Sequence, residues 1–527
     1  MERRDLLRFA SAAATGALGA RHAWAGRGAL ADPFALGVAS GASHETGLVL
    51  WTRIAPAALP SPLAPVELRW EIAHDEGFRR IAASGRSIAS PTLGHAVHVE
   101  VDGLAPGRWY HYRFLLGDAA SDTGRTRTAP AADTLPDRLR FVFASCQRWE
   151  HGFYAAWRDA ARQSPDLIVF LGDYIYEYAS PHTPPADMPR SHMLRHATTL
   201  ADYRDRYALH KSDPDLRAAH RACPWLVTWD DHEVENDYAG MLGQAAPDRF
   251  LARRAAAYQA FYENMPLPAS ALARGLAGLG TPDAVRVTQR HAFGRLARFH
   301  LLDTRQFRDP QACRADAGEK SPGAVRPSAC PAIDAPGRSL LGAAQEAWLA
   351  EGLADDARHG RTRWTIVAQQ TLVAPRRYGG PDAPVATDTW DGYPAARRRL
   401  LDAVVGHAPR NTVFVGGDIH QNYVSHLHRE SQGGGDPGAA PVATEFCGTS
   451  VSSRSGASAA RRESLLRRNP HIVFADGEKR GYGLVDLGRD GWQTRLRTVD
   501  RPDDADSPVQ TAAVFQVRDG RPRILVE

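Results

Sequence analysis

The sequence predicts an α/β protein, with a large layered α/β domain over residues 138–505 preceded by a small β-sandwich over residues 33–128. Three observations predict it. Hydrophobic residues fill 43% of the 527 positions, enough to bury a large core in more than one domain. Beyond residue 138, runs that are apolar at nearly every position alternate with segments of helical period, as in a sheet covered by helices on both faces. Ahead of residue 128 the runs are short, alternate apolar with polar residues, and are divided by Pro and Gly turns.

The chain opens with a charged stretch, Glu2 to Arg8. A mild apolar run from Ala10 to Ala20 follows, then Ala23-Trp24-Ala25, a small-x-small cleavage pattern. Arg3-Arg4 followed by Leu6-Leu7 predicts a twin-arginine-type signal over residues 1–25, with an ordinary secretory signal as the alternative. That route carries folded proteins, so the twin-arginine export machinery is an expected partner and the mature chain is expected in the periplasm or secreted. The apolar run is too short to span a bilayer and no later segment is long and apolar enough, so no transmembrane segment is expected.

Strands of the sandwich are read at Gly47 to Arg53, Val66 to Ile72, His95 to Val101 and Trp109 to Phe114, with turns at Pro60-Ser61-Pro62, Pro106-Gly107 and Gly117-Asp118. A Pro/Ala/Asp-rich linker, Ala129 to Asp137, ends it. The buried strands of the α/β domain are Leu139 to Ala144, Asp166 to Leu171, Trp225 to Trp229, Phe299 to Leu302, Trp364 to Ala368 and Thr412 to Val415. Helices are read at Phe153 to Arg162, Arg253 to Asn264, Ala343 to His359 and Pro394 to Gly406. Five cysteines exclude a disulfide scaffold. Cys313 and Cys330 bracket a Gly/Pro/Ala/Arg-rich loop, and in an exported protein one disulfide closing that loop is expected. Cys223 and Cys447 are read as buried and inert. Lys plus Arg number 64 against 60 Asp plus Glu, and the runs Arg397-Arg398-Arg399 and Arg461-Arg462 sit in helical surroundings, so no nucleic-acid partner is expected.

Four buried strands end alike. Each apolar run stops, and ionisable residues follow at once: Ser145-Cys146-Gln147, Gly172-Asp173-Tyr174-Ile175-Tyr176, Asp230-Asp231-His232-Glu233, and Gly417-Asp418-Ile419-His420. Ligands of α/β sheets bind beyond the carboxyl ends of strands, so these segments are expected to converge. Carboxylates crowded into one pocket repel each other, and a multivalent cation relieves that repulsion. Gly172 and Gly417 would let the backbone turn so that the next Asp faces the metal.

Gly172-Asp173-xx-Tyr176, Trp229-Asp230-Asp231-His232-Glu233 and Gly417-Asp418-x-His420 resemble the PhoD family of alkaline phosphatases, a branch of the calcineurin-like metallophosphoesterases. Further matches are Phe34 to Gly41 with Leu50-Trp51-Thr52-Arg53, Leu302-Asp303-Thr304-Arg305, Asp388 to Tyr393, and Glu445 to Ser450, so the resemblance covers nearly the whole mature chain. It implies a four-layer αββα metallophosphoesterase core and a site holding Fe3+ and Ca2+. Cys146, Asp173, Tyr176 and His420 would hold the iron. Asp173 would bridge to calcium, with Asp418 and one or both of Asp230 and Asp231 completing that shell. Thiolate and phenolate donors favour trivalent iron, and a carboxylate-rich remainder suits calcium.

The function expected is an exported phosphatase that hydrolyses phosphate monoesters by attack of a metal-bound hydroxide. Asp231 belongs to that machinery, His232 stabilises the phosphate or protonates the leaving group, and Arg148 and Arg305 are candidate phosphate clamps. Asn422 is a candidate for orienting a ligand. The alternatives are a phosphodiesterase or phospholipase D of the same family, acting on small phosphate esters or phospholipid headgroups, and a non-catalytic binding protein with a degenerate site.

Overall fold

Arg138–Ala144, Leu167–Phe170 and Trp225–Val227 lie side by side and parallel, with Leu167 opposite Phe141 and Ile168 opposite Trp225. This is the computed structural model of the chain, which describes residues 32–527 apart from 182, 184, 186, 315–320, 359–361, 430–439, 457 and 458. The expected export segment, residues 1–25, lies outside the described residues. None of the described helices is long and apolar enough to cross a membrane.

Both faces of these central strands are covered, which is why their residues are apolar at almost every position. Phe141, Phe143, Val169 and Leu226 on one face meet Phe299, Ile366, Val413 and Phe446 of a second sheet. Its parallel centre is Ala297–Leu301, Trp364–Ala368, Thr412–Gly416 and Ala443–Cys447. On the opposite face Val142, Ile168, Phe170 and Trp225 pack against Trp157 of helix Ala155–Arg162, Leu216 of Pro214–Ala222, and Tyr258 and Phe261 of Pro247–Asn264. Beyond the second sheet, Leu349 and Leu353 of Ala343–Ala357 and Leu400 and Leu401 of Pro394–His407 enclose Val367 and Phe414.

Several features differ from the sequence reading. The expected N-terminal sandwich shares a sheet with the rest of the chain: Val38–His44, Gly47–Arg53 and Ala96–Val101 extend the first sheet to ten strands. Gly41 makes the junction, pairing in parallel with Trp225. A Cβ there would lie 2.6 Å from the Pro266 carbonyl oxygen and 2.7 Å from that of Trp225, so only glycine admits the approach. Val66–Ala73, Ile81–Ala89, Trp109–Leu116, Ala119–Ala120 and Gly124–Arg127 form the facing sheet, and Ile72 and Tyr112 pack on Leu50 and Val97. At the other edge Arg480–Gly488, Gly491–Val499, Val509–Arg518 and Arg521–Val526 continue the large sheet, which therefore runs past the expected boundary at residue 505. Helix Leu200–Lys211 escaped notice because its buried side chains include Asp202, Arg206, His210 and Lys211, leaving no apolar stripe to read.

Cys313 and Cys330 form a disulfide with their Cα atoms 6.1 Å apart. Cys146, Cys223 and Cys447 are free and buried. The arginine run on helix Pro394–His407 is ion-paired, Arg397 with Asp391, Arg398 with Asp334 and Arg399 with Glu346.

Candidate metal centre

The four strand ends do meet. Cys146 follows Arg138–Ala144, Asp173 follows Leu167–Phe170, Asp231 follows Trp225–Val227 and His420 follows Thr412–Gly416. The turns that bring them together are strained: Cys146, Asp173, Asp418 and His420 have φ of 61°, 59°, 66° and 55°, a left-handed conformation that a side chain disfavours by about 1–3 kcal/mol each. Gly172, expected as the turning residue, has φ 107°, and a Cβ on it would lie 2.5 Å from the Asp230 amide nitrogen. Two strand ends therefore pass in contact at that point. Glu233 fastens them, its Oε2 accepting from the amides of Asp173 (3.0 Å) and Asp230 (2.8 Å) and its Oε1 from that of Tyr174 (2.6 Å).

Among the described residues three donor groups result, each with its ligand atoms within 4.8 Å of one another: Cys146, Asp173 and His420; Asp173, Asp231 and His232; Asp231, Asp237 and Asp388. Asp173 joins the first to the second and Asp231 joins the second to the third. Tyr176 completes the first group. Its Oη lies 2.8 Å from Asp173 Oδ2, 3.1 Å from His420 Nε2 and 2.8 Å from Ser453 Oγ. His420 Nδ1 is 2.7 Å from the Arg454 carbonyl, so Nε2 is the nitrogen turned to the site. His232 Nδ1 is 2.7 Å from Glu177 Oε2.

These groups need a cation. Burial first, and then Asp173 and Asp418, push the Cys146 thiol up; burial, Asp173 and Cys146 do the same to the Tyr176 phenol. Burial raises the Asp173 carboxyl well above its usual range against the pull of His232. Burial lifts Asp418 to about 6, and burial together with Asp388 lifts Asp237 to about 7. His420 is lowered to about 3 by burial and so offers a neutral imidazole. The opposite holds where a cation already stands beside the group. Burial would raise Asp231, but Arg305 and His232 outweigh it and hold the carboxyl below its usual range. Asp230 Oδ2 is buried without a hydrogen-bond partner. Hard oxygen donors, one thiol and one phenol crowded under burial are the donor set that tri- and divalent cations satisfy.

Asp230 and Asp418, expected as ligands, stand outside all three groups. Asp230 is ion-paired with Arg305 Nε, and Asp418 acts on the cluster through its charge. Arg305, expected to clamp phosphate, is corrected by its surroundings. Its side chain is 1% exposed and holds Asp230, Asp388 (Nη1 to Oδ2, 2.8 Å) and Asp231 (Nη2 to Oδ1, 3.7 Å), so its fork has no face left for substrate. Arg148 borders the site, its guanidinium 5.7 Å from the Tyr176 ring and 5.0 Å from the Tyr178 ring. Asn422 Oδ1 accepts from the Thr449 amide at 2.9 Å and so orients a loop.

Sequence reasoning assigned no role to Glu177, Asp237, Asp388 or Ser453. The acidic density of 230–237 was a signal for Asp237, and Asp388 stood in a quoted motif. Ser453 carried no signal.

Family models described as PhoD-like phosphatase and PhoD-like phosphatase, N-terminal domain, match residues 141–496 and 20–130. Alkaline phosphatase D of Bacillus subtilis (strain 168) is 40% identical over 493 residues, spanning 92% of this chain and 80% of that protein. A solved structure of PhoD superposes with a TM-score of 0.86 at 37% identity, covering 95% of this chain and 93% of its own. The fold extends to a purple acid phosphatase from yellow lupin (Lupinus luteus) seeds, with a TM-score of 0.51 at 12% identity over 91% of this chain and 73% of that one.

Proposed function

The chain belongs to the PhoD-like phosphatase family and is an alkaline phosphatase D-type phosphoric ester hydrolase, and from that premise we propose that it is exported and hydrolyses phosphate monoesters at the linked donor groups around Asp173 and Asp231. The observation that carries this reading is the chaining of those groups through two shared carboxylates, an arrangement suited to ions a few ångströms apart. The reading keeps the αββα layering of the metallophosphoesterases.

Cys146, Asp173, Tyr176 and His420 would hold iron(III). Asp173 would bridge to calcium, held further by Asp231, with Asp230, whose Oδ2 has no hydrogen-bond partner, and Asp418 beside it, and Asp237 and Asp388 extending the site. Bound there, the ions would acidify water for attack on phosphorus and neutralise the phosphoryl oxygens. The protein's own part is orientation and proton transfer. Burial disfavours an imidazolium at His232, but Glu177, Asp231 and Asp173 raise its pKa above the ordinary value, so its role here is proton donor rather than ligand of the second group. With Nδ1 fixed on Glu177, Nε2 is free to give its proton to the departing alkoxide. Arg148 flanks the same space and supplies a fork for a phosphoryl oxygen.

Hydrolysis of p-nitrophenyl phosphate is expected to exceed that of bis-p-nitrophenyl phosphate, and EDTA should abolish both. Turnover that survives EDTA would defeat the metal reading. A reversed preference would favour the diester reading, for which one observation speaks: a cavity of about 360 Å³ lined by Glu177, Tyr178, Asn236 and Asp237 adjoins His232 and leaves room for a second ester arm.

Calcium affinity should depend on pH with a definite sign. The raised carboxyl of Asp237 holds its proton below a folded pKa of about 7, and calcium must displace it. Affinity is therefore nearly complete by about pH 8 and lost as pH falls through 7 towards 5. Half-saturating calcium at pH 6 should be roughly tenfold that at pH 8; a flat profile in a calcium titration would show that Asp237 does not bind it.

A further inference from the structure

Arg480 begins the strand Arg480–Gly488 and is 4% exposed. Among the described residues no carboxylate lies within ion-pair distance of it. Its hydrogen bonds go to neutral acceptors: Nη1 donates towards the His420 carbonyl (2.8 Å), Ser450 Oγ (2.9 Å) and the Ser453 carbonyl (2.8 Å), and Nη2 to the Gly477 carbonyl (2.7 Å). Burial lowers this guanidinium only to about 10, so it is charged at neutral pH. A buried cation held by neutral oxygens is costly unless an anion shares its field. Asp476 is the carboxylate in its wider field.

The segments it ties are those that aim the first donor group. The His420 carbonyl belongs to a ligand residue. Ser453 Oγ lies 2.8 Å from Tyr176 Oη and 3.0 Å from the Cys146 carbonyl, and the next residue, Arg454, holds His420 Nδ1. Ser450 Oγ reinforces the loop by donating to the Ser453 carbonyl. One planar fork thus joins the loop of His420 to the loop that orients Tyr176.

We propose that Arg480 is a positioning residue that clamps the His420 loop to the Ser450–Arg454 loop and so sets the reach of His420 Nε2 and Tyr176 Oη to one shared ion. The inference rests on the iron reading above. A lysine keeps the charge but cannot reach four acceptors from one nitrogen, so R480K separates charge from geometry.

The test compares purified holoprotein of wild type, R480K and S450A by iron content, chelator competition, thermal melting and the visible phenolate- or thiolate-to-iron absorption band. R480K should bind iron about 10- to 100-fold more weakly, as loss of a group that orients a ligand does, and its remaining iron should absorb at a shifted wavelength. S450A, which removes one acceptor of Arg480 together with the bond from Ser450 to the Ser453 carbonyl, should shift the band in the same direction by less. If R480K fails to fold, S450A alone carries the test. A folded R480K with a lowered melting temperature but an unshifted band and wild-type iron affinity would overturn the proposal, as would an unshifted S450A where R480K does not fold. A wild-type protein lacking iron would overturn the iron reading and the inference together.

Discussion

Replacing Asp173 is expected to lower the turnover of p-nitrophenyl phosphate by at least about a thousandfold, some 4 kcal/mol of lost transition-state stabilisation. Asp173 is common to two of the three donor groups, so its loss takes a ligand from both at once. It also lies 2.8 Å from Tyr176 Oη, and removing it frees the phenol from one of its three neighbours. The choice of substitute matters because Asp173 sits at φ 59°. Alanine adds backbone strain there, whereas asparagine tolerates the left-handed region and keeps the shape of the side chain. Asp173→Asn should therefore melt near the metal-free wild type, and Asp173→Ala somewhat below it, while both lose iron and activity. The main-chain bond from Asp173 N to Glu233 survives in either variant, so the two strand ends stay joined. Wild-type turnover in the folded Asp173→Asn protein would remove this site from the reaction.

Arg305→Ala should destabilise the EDTA-treated protein by about 3–5 kcal/mol, the usual effect of taking one partner from a buried ion pair. The guanidinium and the carboxylates of Asp230 and Asp231 are buried, and Asp388 is largely so. Once the cation goes, these carboxylates face each other across a dry cavity, and those that stay ionised repel. Arg308 still holds Asp388 at 3.1 Å, so the loss falls chiefly on Asp230 and Asp231. Arg305→Lys should recover part of the stability through charge while failing to bridge three partners. Urea unfolding of the metal-free variants measures this directly. The phosphate-clamp role expected from sequence makes the opposite forecast, with stability unchanged and KM raised, and that outcome would restore it.

Local chemistry was legible in the one-dimensional pattern. A strand buried on both faces is apolar at nearly every position, and the abrupt change to Asp, His, Cys and Tyr at four strand ends marked the site before any contact was visible. The Cys313–Cys330 pairing was favoured in sequence because the loop between the two has no hydrophobic period to order it, and the folded chain brings their sulfurs together. The helix Leu200–Lys211 was not, since it buries polar side chains that pattern reading assigns to solvent.

Roles within the site were a different matter. Asp230 and Asp231 are adjacent and chemically identical, yet one faces Arg305 and the other joins two donor groups. Nothing local distinguishes them, because the choice depends on an arginine 75 residues away in sequence. Arg305 and Arg480 are likewise ordinary arginines until their partners are known. The sequence alone determined which residue types would gather and that they would require cations. The tertiary structure alone decided which oxygen faces which partner, since charges interact over a few ångströms and only the folded chain sets those distances.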